Sequence, residues 1–298
     1  MTHRRIPVTA QTRVIVDNDF AGDPDGLLAL AHHLLADAAV IRGITCTSIA
    51  MSALPYPAGS PARDAARELM RRLGVIDPPP VSDDVQVRFA ELAALTDGAR
   101  LILAESRRDD PLPLVVACGG PLTHVASALR EDPALADRME LIWIGGGAHP
   151  GGAWEYNLML DLPAAQYVFN ESRARITQIP QHVYRQCALS IAELEDGVHG
   201  AGAFGVWLYG QFTSPPESIA IGGVWPMGDS PPVMITALST ESSTFREIAA
   251  PWITDEGRYA PHPSPRPLTL YDTVDARLIF GDFFARLRLH ARGERPDA

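Results

Sequence analysis

Two kinds of apolar run take turns along most of this chain, and their alternation limits the fold more than any other feature. Short β-branched or fully apolar runs read as buried strands: Val14 to Val16, Val40 to Thr47, Leu114 to Ala117, Leu141 to Ile144 and Ile176 to Ile179. Between them lie helix-periodic stretches, Asp25 to Leu35, Ala62 to Leu73, Ala99 to Arg107, Pro121 to Leu129 and Pro163 to Phe169. This predicts an α/β fold, a mostly parallel sheet flanked by helices on both faces. Beyond residue 190 the pattern turns more helical, at Ile191 to Leu194, Ala203 to Phe212 and Val233 to Leu238, and a strand over Leu268 to Tyr271 and a helix over Asp282 to His290 close it. The proline-rich segments Asp77 to Pro80, Ser214 to Pro216 and Pro261 to Pro267 are short and flanked by apolar runs. They read as surface connections, and residues 1–298 as a single domain.

The first strand runs into Asp17-Asn18-Asp19-Phe20-Ala21-Gly22-Asp23-Pro24-Asp25, four carboxylates within nine positions. Pro24 as first helical residue behind Asp23 as N-cap puts them on a strand-to-helix loop, where open α/β sheets bind ligands. A helix start needs one such carboxylate, not four. So much like charge in one turn calls for a cation, and hard oxygen donors select Ca²⁺ or Mg²⁺ over softer metals.

Other strand ends are unusual too. Leu114 to Ala117 leads into Cys118-Gly119-Gly120-Pro121-Leu122-Thr123-His124, where glycine lets backbone approach a ligand and offer it a carbonyl. Leu141 to Ile144 leads into Gly145-Gly146-Gly147 and then Glu155-Tyr156-Asn157, whose polar groups suit sugar hydroxyls, with Asp161 placed to cap the helix at Pro163. A late loop, Met227-Gly228-Asp229-Ser230-Pro231, sets another aspartate before a helix, where by itself it reads as an N-cap.

Composition removes several classes of chemistry. All 25 basic residues are arginine, so no lysine is present for a Schiff base or a P-loop. A net charge of −11 argues against nucleic acid or an anionic membrane as partner and leaves small neutral substrates open. The three cysteines are far apart and odd in number, which fits buried reduced thiols. Adjacent His32 and His33 on one helix cannot point both rings at one ion. No G-x-S-x-G elbow occurs. With no signal-peptide h-region and no membrane-span-length apolar run, the expected compartment is the cytoplasm.

Taken together, the loops resemble the nucleoside hydrolase family, the inosine-uridine-preferring N-ribohydrolases, whose motifs run D-x-D-P-G-x-D-D, T-G-P-L-T-N, M-G-G with E-F-N, and H-D-P. The counterparts here are Asp17-Asn18-Asp19 with Asp23 and Asp25, Gly119 to His124, Ile144-Gly145-Gly146 with Glu155-Tyr156-Asn157, and Gly228 to Pro231. The resemblance implies one Ca²⁺ at the bottom of a pocket and hydrolysis of the bond between ribose and base. It makes Asp19 a ligand and the general base toward water, with Asp25, Asp229 and the carbonyl of Gly119 as further ligands. Asp23, Glu155 and Asn157 would hydrogen-bond the sugar, and Asp17 would be a buried group holding Asp19 or loop amides in place. It also implies a homo-oligomer, dimer or tetramer.

The chain departs from the family pattern in places. The first loop is longer, so Asp25 is preferred over Asp23 as ligand by its distance from glycine. The family's ribose-contacting asparagine falls near Ala50, and Gly228 stands where relatives carry a histidine, an acid candidate for the leaving base. Trp225 is an aromatic expected to stack on that base. Asp229 is preferred over Asp272 as the late ligand. Two rival readings are weighed beside this one. A nucleoside- or sugar-binding protein could have kept the fold and lost turnover. A haloacid-dehalogenase-type phosphatase would use Asp17 as nucleophile and Asp19 as acid/base, though that chemistry normally wants a lysine.

Overall fold

A computed structural model describes residues 6–51, 59–214 and 221–293. Its main sheet has eight strands: β1 Thr12–Asn18, β2 Ala39–Thr47, β3 Val81–Val85, β4 Leu114–Cys118, β5 Glu140–Ile144, β6 Arg175–Ile179, β7 Thr244–Ala249 and β8 Pro267–Thr273. Their order is β3-β2-β1-β4-β5-β6-β8-β7, parallel throughout except for β7, which pairs antiparallel with β8 at one edge. The expected mixed fold with a largely parallel sheet is what forms.

Side-chain alternation along each central strand feeds two apolar layers. Val14 and Val16 of β1, Val115 and Ala117 of β4, and Ile142 and Ile144 of β5 face one layer. There they meet α1 (Asp25–Leu35), α2 (Pro61–Leu73) and the helix Ala276–Ala291 through Leu28, Leu69 and Phe283. Ile15, Val116, Leu141 and Trp143 face the other layer, covered by α3 (Asp97–Ser106) and α4 (Thr123–Glu131) through Ile102 and Val125. Burial on both sides is why these strands read as unbroken apolar runs.

Several boundaries differ from the sequence expectation. Helix α1 starts at Asp25, with Pro24 just outside it, so Asp23 is not the cap residue; its Oδ1 still accepts the N–H of Asp25 at 3.4 Å. The last helix starts at Ala276, six residues before Asp282, because Asp275 caps it by accepting the Leu278 N–H at 2.8 Å. Helix Leu162–Gln166 is capped by Asp161 as expected and then widens into a π turn over Tyr167–Glu171. Strands β3 and β7 are additional. Of the proline-rich connections, Pro215 and Pro216 lie outside the described residues. All three cysteines are buried and free. Among the described residues no helix is long and apolar enough to cross a membrane.

What this topology positions is a crevice. From β1 the chain moves outward through β2 and β3, then returns to β4 on the other side of β1 and proceeds through β5 and β6. The loops after β1 and β4 therefore part in opposite directions, and ligands of open α/β sheets bind at such a reversal.

Candidate active site

The loops after β1, β4 and β5 meet in that crevice with a fourth that carries Asp229, and Asn18 joins the first to the fourth. Its Nδ2 donates to Asp229 Oδ2 at 2.8 Å, and its Oδ1 accepts the N–H of Asp19 at 2.7 Å. Asp25 Oδ2 in turn accepts the N–H of Asp229 at 3.1 Å. The β4 loop lies directly beneath. A methyl group on Gly119 would stand 2.5 Å from Asn18 Nδ2 and 2.7 Å from Asp229 Oδ1, so only glycine lets the loops close this far. The Gly119 N–H donates to the Asp17 carbonyl at 2.9 Å, and its carbonyl accepts Asn157 Nδ2 at 2.9 Å.

Glu155 and Asn157 lie on the third loop, and both organise it. Glu155 is fully buried and caps helix α5 (Tyr156–Leu160) by accepting the N–H groups of Asn157 and Leu158. It also accepts the Gly146 N–H at 2.8 Å and the Tyr184 hydroxyl at 2.8 Å. Asn157 adds a bond to the Ile144 carbonyl at 2.9 Å, tying the end of β5 to the β4 loop. Asp23 stands at the exposed rim, where its Oδ1 accepts Trp225 Nε1 at 2.9 Å.

The electrostatics are those of crowded carboxylates. Burial, then the charge of Asp229, hold Asp19 and Asp25 well above the ordinary carboxylate range. Asp229 is pushed up to about 7, chiefly by burial, with the Asn18 amide acting the other way. Asp17, at the end of β1 on the face opposite Val16, is raised to about 6 by burial, and the charge of His124 offsets part of this. Among the described residues neither oxygen of Asp17 makes a close hydrogen bond, with the Thr45 hydroxyl and the Cys118 thiol as its weak neighbouring donors.

The structure thus brings Asp25, Asp229 and Gly119 together with Asp19 beside them, while among the described residues no three His, Cys, Asp or Glu side chains are arranged to hold an ion as they stand. The Asn18 amide and the Asp229 N–H engage Oδ2 of Asp229 and of Asp25, leaving Oδ1 of each for a cation.

Trp225 does not offer a stacking face: it is 2% exposed, packs edge-on against Phe212 and uses its indole N–H to fix Asp23. Asp272 lies on β8, paired with Arg246 at 3.1 Å, whereas Asp229 is the late aspartate bonded to Asn18 and Asp25. Sequence reasoning missed Asn18, although its place between two aspartates at a buried strand end was the available signal. It also missed Tyr184, which nothing in the local sequence marks. Asp17 is fully buried at the end of β1, which speaks against it as a nucleophile toward a phosphoryl group.

Comparisons with known proteins bear on the family and the fold. A sequence profile described as inosine-uridine preferring nucleoside hydrolase matches residues 62–250. An inosine-uridine preferring nucleoside hydrolase of Leishmania major is 38% identical over 77 residues, which cover 24% of this chain and 24% of that protein. The aligned stretch therefore spans about a quarter of that relative. Among solved structures, a plant nucleoside hydrolase superposes with a TM-score of 0.73 at 20% identity, covering 93% of this chain and 99% of the other. A purine-preferring ribonucleoside hydrolase from Gardnerella vaginalis gives 0.71 at 20% identity, covering 94% and 99%. At that identity the likeness shows the fold.

Proposed function

Because the chain belongs to the inosine-uridine preferring nucleoside hydrolase family, we propose that it hydrolyses the N-glycosidic bond of ribonucleosides to free base and ribose, with Ca²⁺ as cofactor. The observation that carries the reading is the closure of the β1 loop onto Asp229 through Asn18, over a glycine that admits no side chain.

The donor chemistry here suits a hard cation: the donors are oxygens, and the crowded carboxylates repel one another. Asp19, Asp25, Asp229 and the Gly119 carbonyl would hold it, with Asp17 behind them. What Ca²⁺ would supply when bound is Lewis acidity, which makes water easier to deprotonate at neutral pH.

The protein's own groups do the rest. Asp19 takes a proton from the attacking water, whose oxygen bonds to C1′ as the C1′–N bond breaks and the base leaves with its electron pair. Positive charge that builds on the ribose ring during this step faces the acidic wall of the crevice. Asp23 at the rim and the Asn157 side-chain carbonyl behind it would orient the sugar hydroxyls, with Glu155, expected to share that role, instead fixing the loop that carries Asn157. A net charge of −11 favours free nucleosides over polynucleotides as substrates. The same reading takes the enzyme to be cytoplasmic and homo-oligomeric.

The deciding experiment follows reducing-sugar release from ribosides and 2′-deoxyribosides with and without chelator. Release from ribosides that stops on chelation supports the reading. Tight binding of nucleoside without release would leave a binding protein, and release indifferent to chelator would remove the cation. Because Gly228 places no acid beside the departing base, p-nitrophenyl riboside, whose leaving group needs no proton, should turn over faster than inosine or uridine. Equal turnover with chemistry rate-limiting would mean that another group supplies the proton.

A further inference from the structure

Among the described residues, four protein donors surround the Glu155 carboxylate. Three are backbone N–H groups, those of Gly146, Asn157 and Leu158, and follow from the loop's own fold. The fourth is the Tyr184 hydroxyl, 2.8 Å from Oε1, the one side-chain donor and the one that comes from beyond β6. Tyr184 ends a short helix, Gln181–Tyr184, which is seated by its own N–H on the Pro180 carbonyl at 3.0 Å. The same helix is tied to the third loop by the Gln181 N–H on the Gly146 carbonyl at 3.0 Å. Two independent attachments therefore link this helix to the Glu155 loop.

The other side of the Tyr184 ring faces the loop that delivers Asp229. A methyl group on Gly228 would lie 2.9 Å from Cδ2 and 3.3 Å from Cε2 of that ring, and 3.6 Å from Asp25 Oδ2. The first distance is closer than carbon atoms pack, so a side chain at 228 and the ring at 184 cannot both stay where they are. Glycine at 228 and tyrosine at 184 are thus two halves of one arrangement.

We propose that Tyr184 is a positioning residue of the hydrolytic site: its hydroxyl fixes Glu155 and so the loop that carries Asn157 beside Gly119, and its ring takes the volume that a side chain at position 228 would need. This rests on the hydrolase reading for its kinetic consequences, while the coupling of Tyr184 to Glu155 and to Gly228 stands on the geometry alone. An enzyme built this way cannot recruit an acid at 228 by a single substitution. Gly228→His would first have to push Tyr184 off Glu155.

The test uses the full chain in calcium-containing buffer, with uridine and inosine as substrates and thermal melting of every variant alongside. Tyr184→Phe keeps the ring and removes the hydroxyl. It should raise KM about tenfold with kcat within about threefold, because a hydrogen bond that holds a sugar-binding loop in place serves ground and transition states alike. In a Glu155→Gln background the same change should alter KM less than about twofold. Gly228→Ala should lower kcat/KM about tenfold alone and cost nothing further beside Tyr184→Ala, or beside Tyr184→Val should the alanine variant not fold. An unchanged KM in Tyr184→Phe, an equal loss with and without Glu155, or an equal effect of Gly228→Ala with and without the ring would each overturn the proposal. If the wild-type chain releases no base from any riboside, the hydrolase reading fails separately. Urea unfolding of the Tyr184→Phe and Glu155→Gln cycle then decides the positioning claim, with non-additivity expected and strict additivity overturning it.

Discussion

Strand β1 carries buried charge at both ends, and the two ends handle it differently. At its N-terminal end Arg13 meets Glu105 at 2.9 Å, both 5% exposed, and the guanidinium also donates to the carbonyls of Glu105 and Leu112 at 2.7 and 2.8 Å. At its C-terminal end the carboxylates of Asp25, Asp229, Asp23 and Glu155 are met, among the described residues, by neutral hydrogen-bond donors only: the Asn18 amide, the Trp225 indole, the Tyr184 hydroxyl and backbone N–H groups. The first end completes its electrostatics within the chain and serves the fold. The second is left incomplete, and a cation is what would complete it.

The comparison breaks most visibly at the paired end. Glu105→Ala strands the Arg13 charge inside the protein and should lower unfolding free energy by about 3 to 5 kcal/mol, while the folded fraction keeps its turnover number. Chemical denaturation together with activity per folded molecule reads this out, and a loss of turnover at intact stability would show that the two ends are not separate. Asp19→Asn is the converse. It should cut kcat at least about a hundredfold, roughly 2.7 kcal/mol of barrier, without lowering the melting temperature, since it removes a repelling charge. Near-normal base release by this variant would take Asp19 out of the mechanism.

His33 shows a third way to bury a titratable group. Burial drops its pKa to about 3, so the ring stays neutral in the fold, against the Thr236 hydroxyl at 3.1 Å. Its folded pKa lies below the unfolded one, so its contribution is present above about pH 6.5 and is lost as pH falls and the unfolded chain takes up the proton. From pH 7 to pH 5 that loss should be about 2 kcal/mol. The crowded carboxylates, with pKa values raised on folding, bias stability in the opposite direction, so the quantity to measure is the pH dependence of wild type minus His33→Gln. A flat difference would refute the assignment. The smallest effect sharpens the choice of late aspartate: Asp229→Asn should weaken Ca²⁺ binding about tenfold in calorimetry, about 1.4 kcal/mol, and Asp272→Asn should leave it unchanged. The reverse would move the site to the Arg246 edge of the sheet.

The central strands were legible because burial on both faces leaves continuous apolar runs, and most flanking helices because their periodicity survives. β3 was not, since its Val-Ser-Asp-Asp-Val sequence looks like a loop. Its polarity has a use: Asp84 accepts the N–H groups of Ala62 and Arg63 at the start of α2, both at 2.9 Å. β7 was missed because an edge strand with mostly exposed residues carries no hydrophobic signal. In the site, each loop's own residues could be read from its motif. The bonds between loops could not, since the partners of Asn18 and Trp225 lie 211 and 202 positions away in sequence and no local pattern encodes them.

The Asn18 bridge also sets a clock. A ribosome makes the acidic loop early and reaches Asp229 211 residues after Asn18, an interval of roughly ten to forty seconds at about 5 to 20 residues per second. During that interval the nascent chain holds four aspartates at the mouth of a half-built sheet, with the Asn18 amide still unclaimed. A cation bound as proposed would therefore find its full set of donors only once Asp229 has been made and folded back onto Asn18.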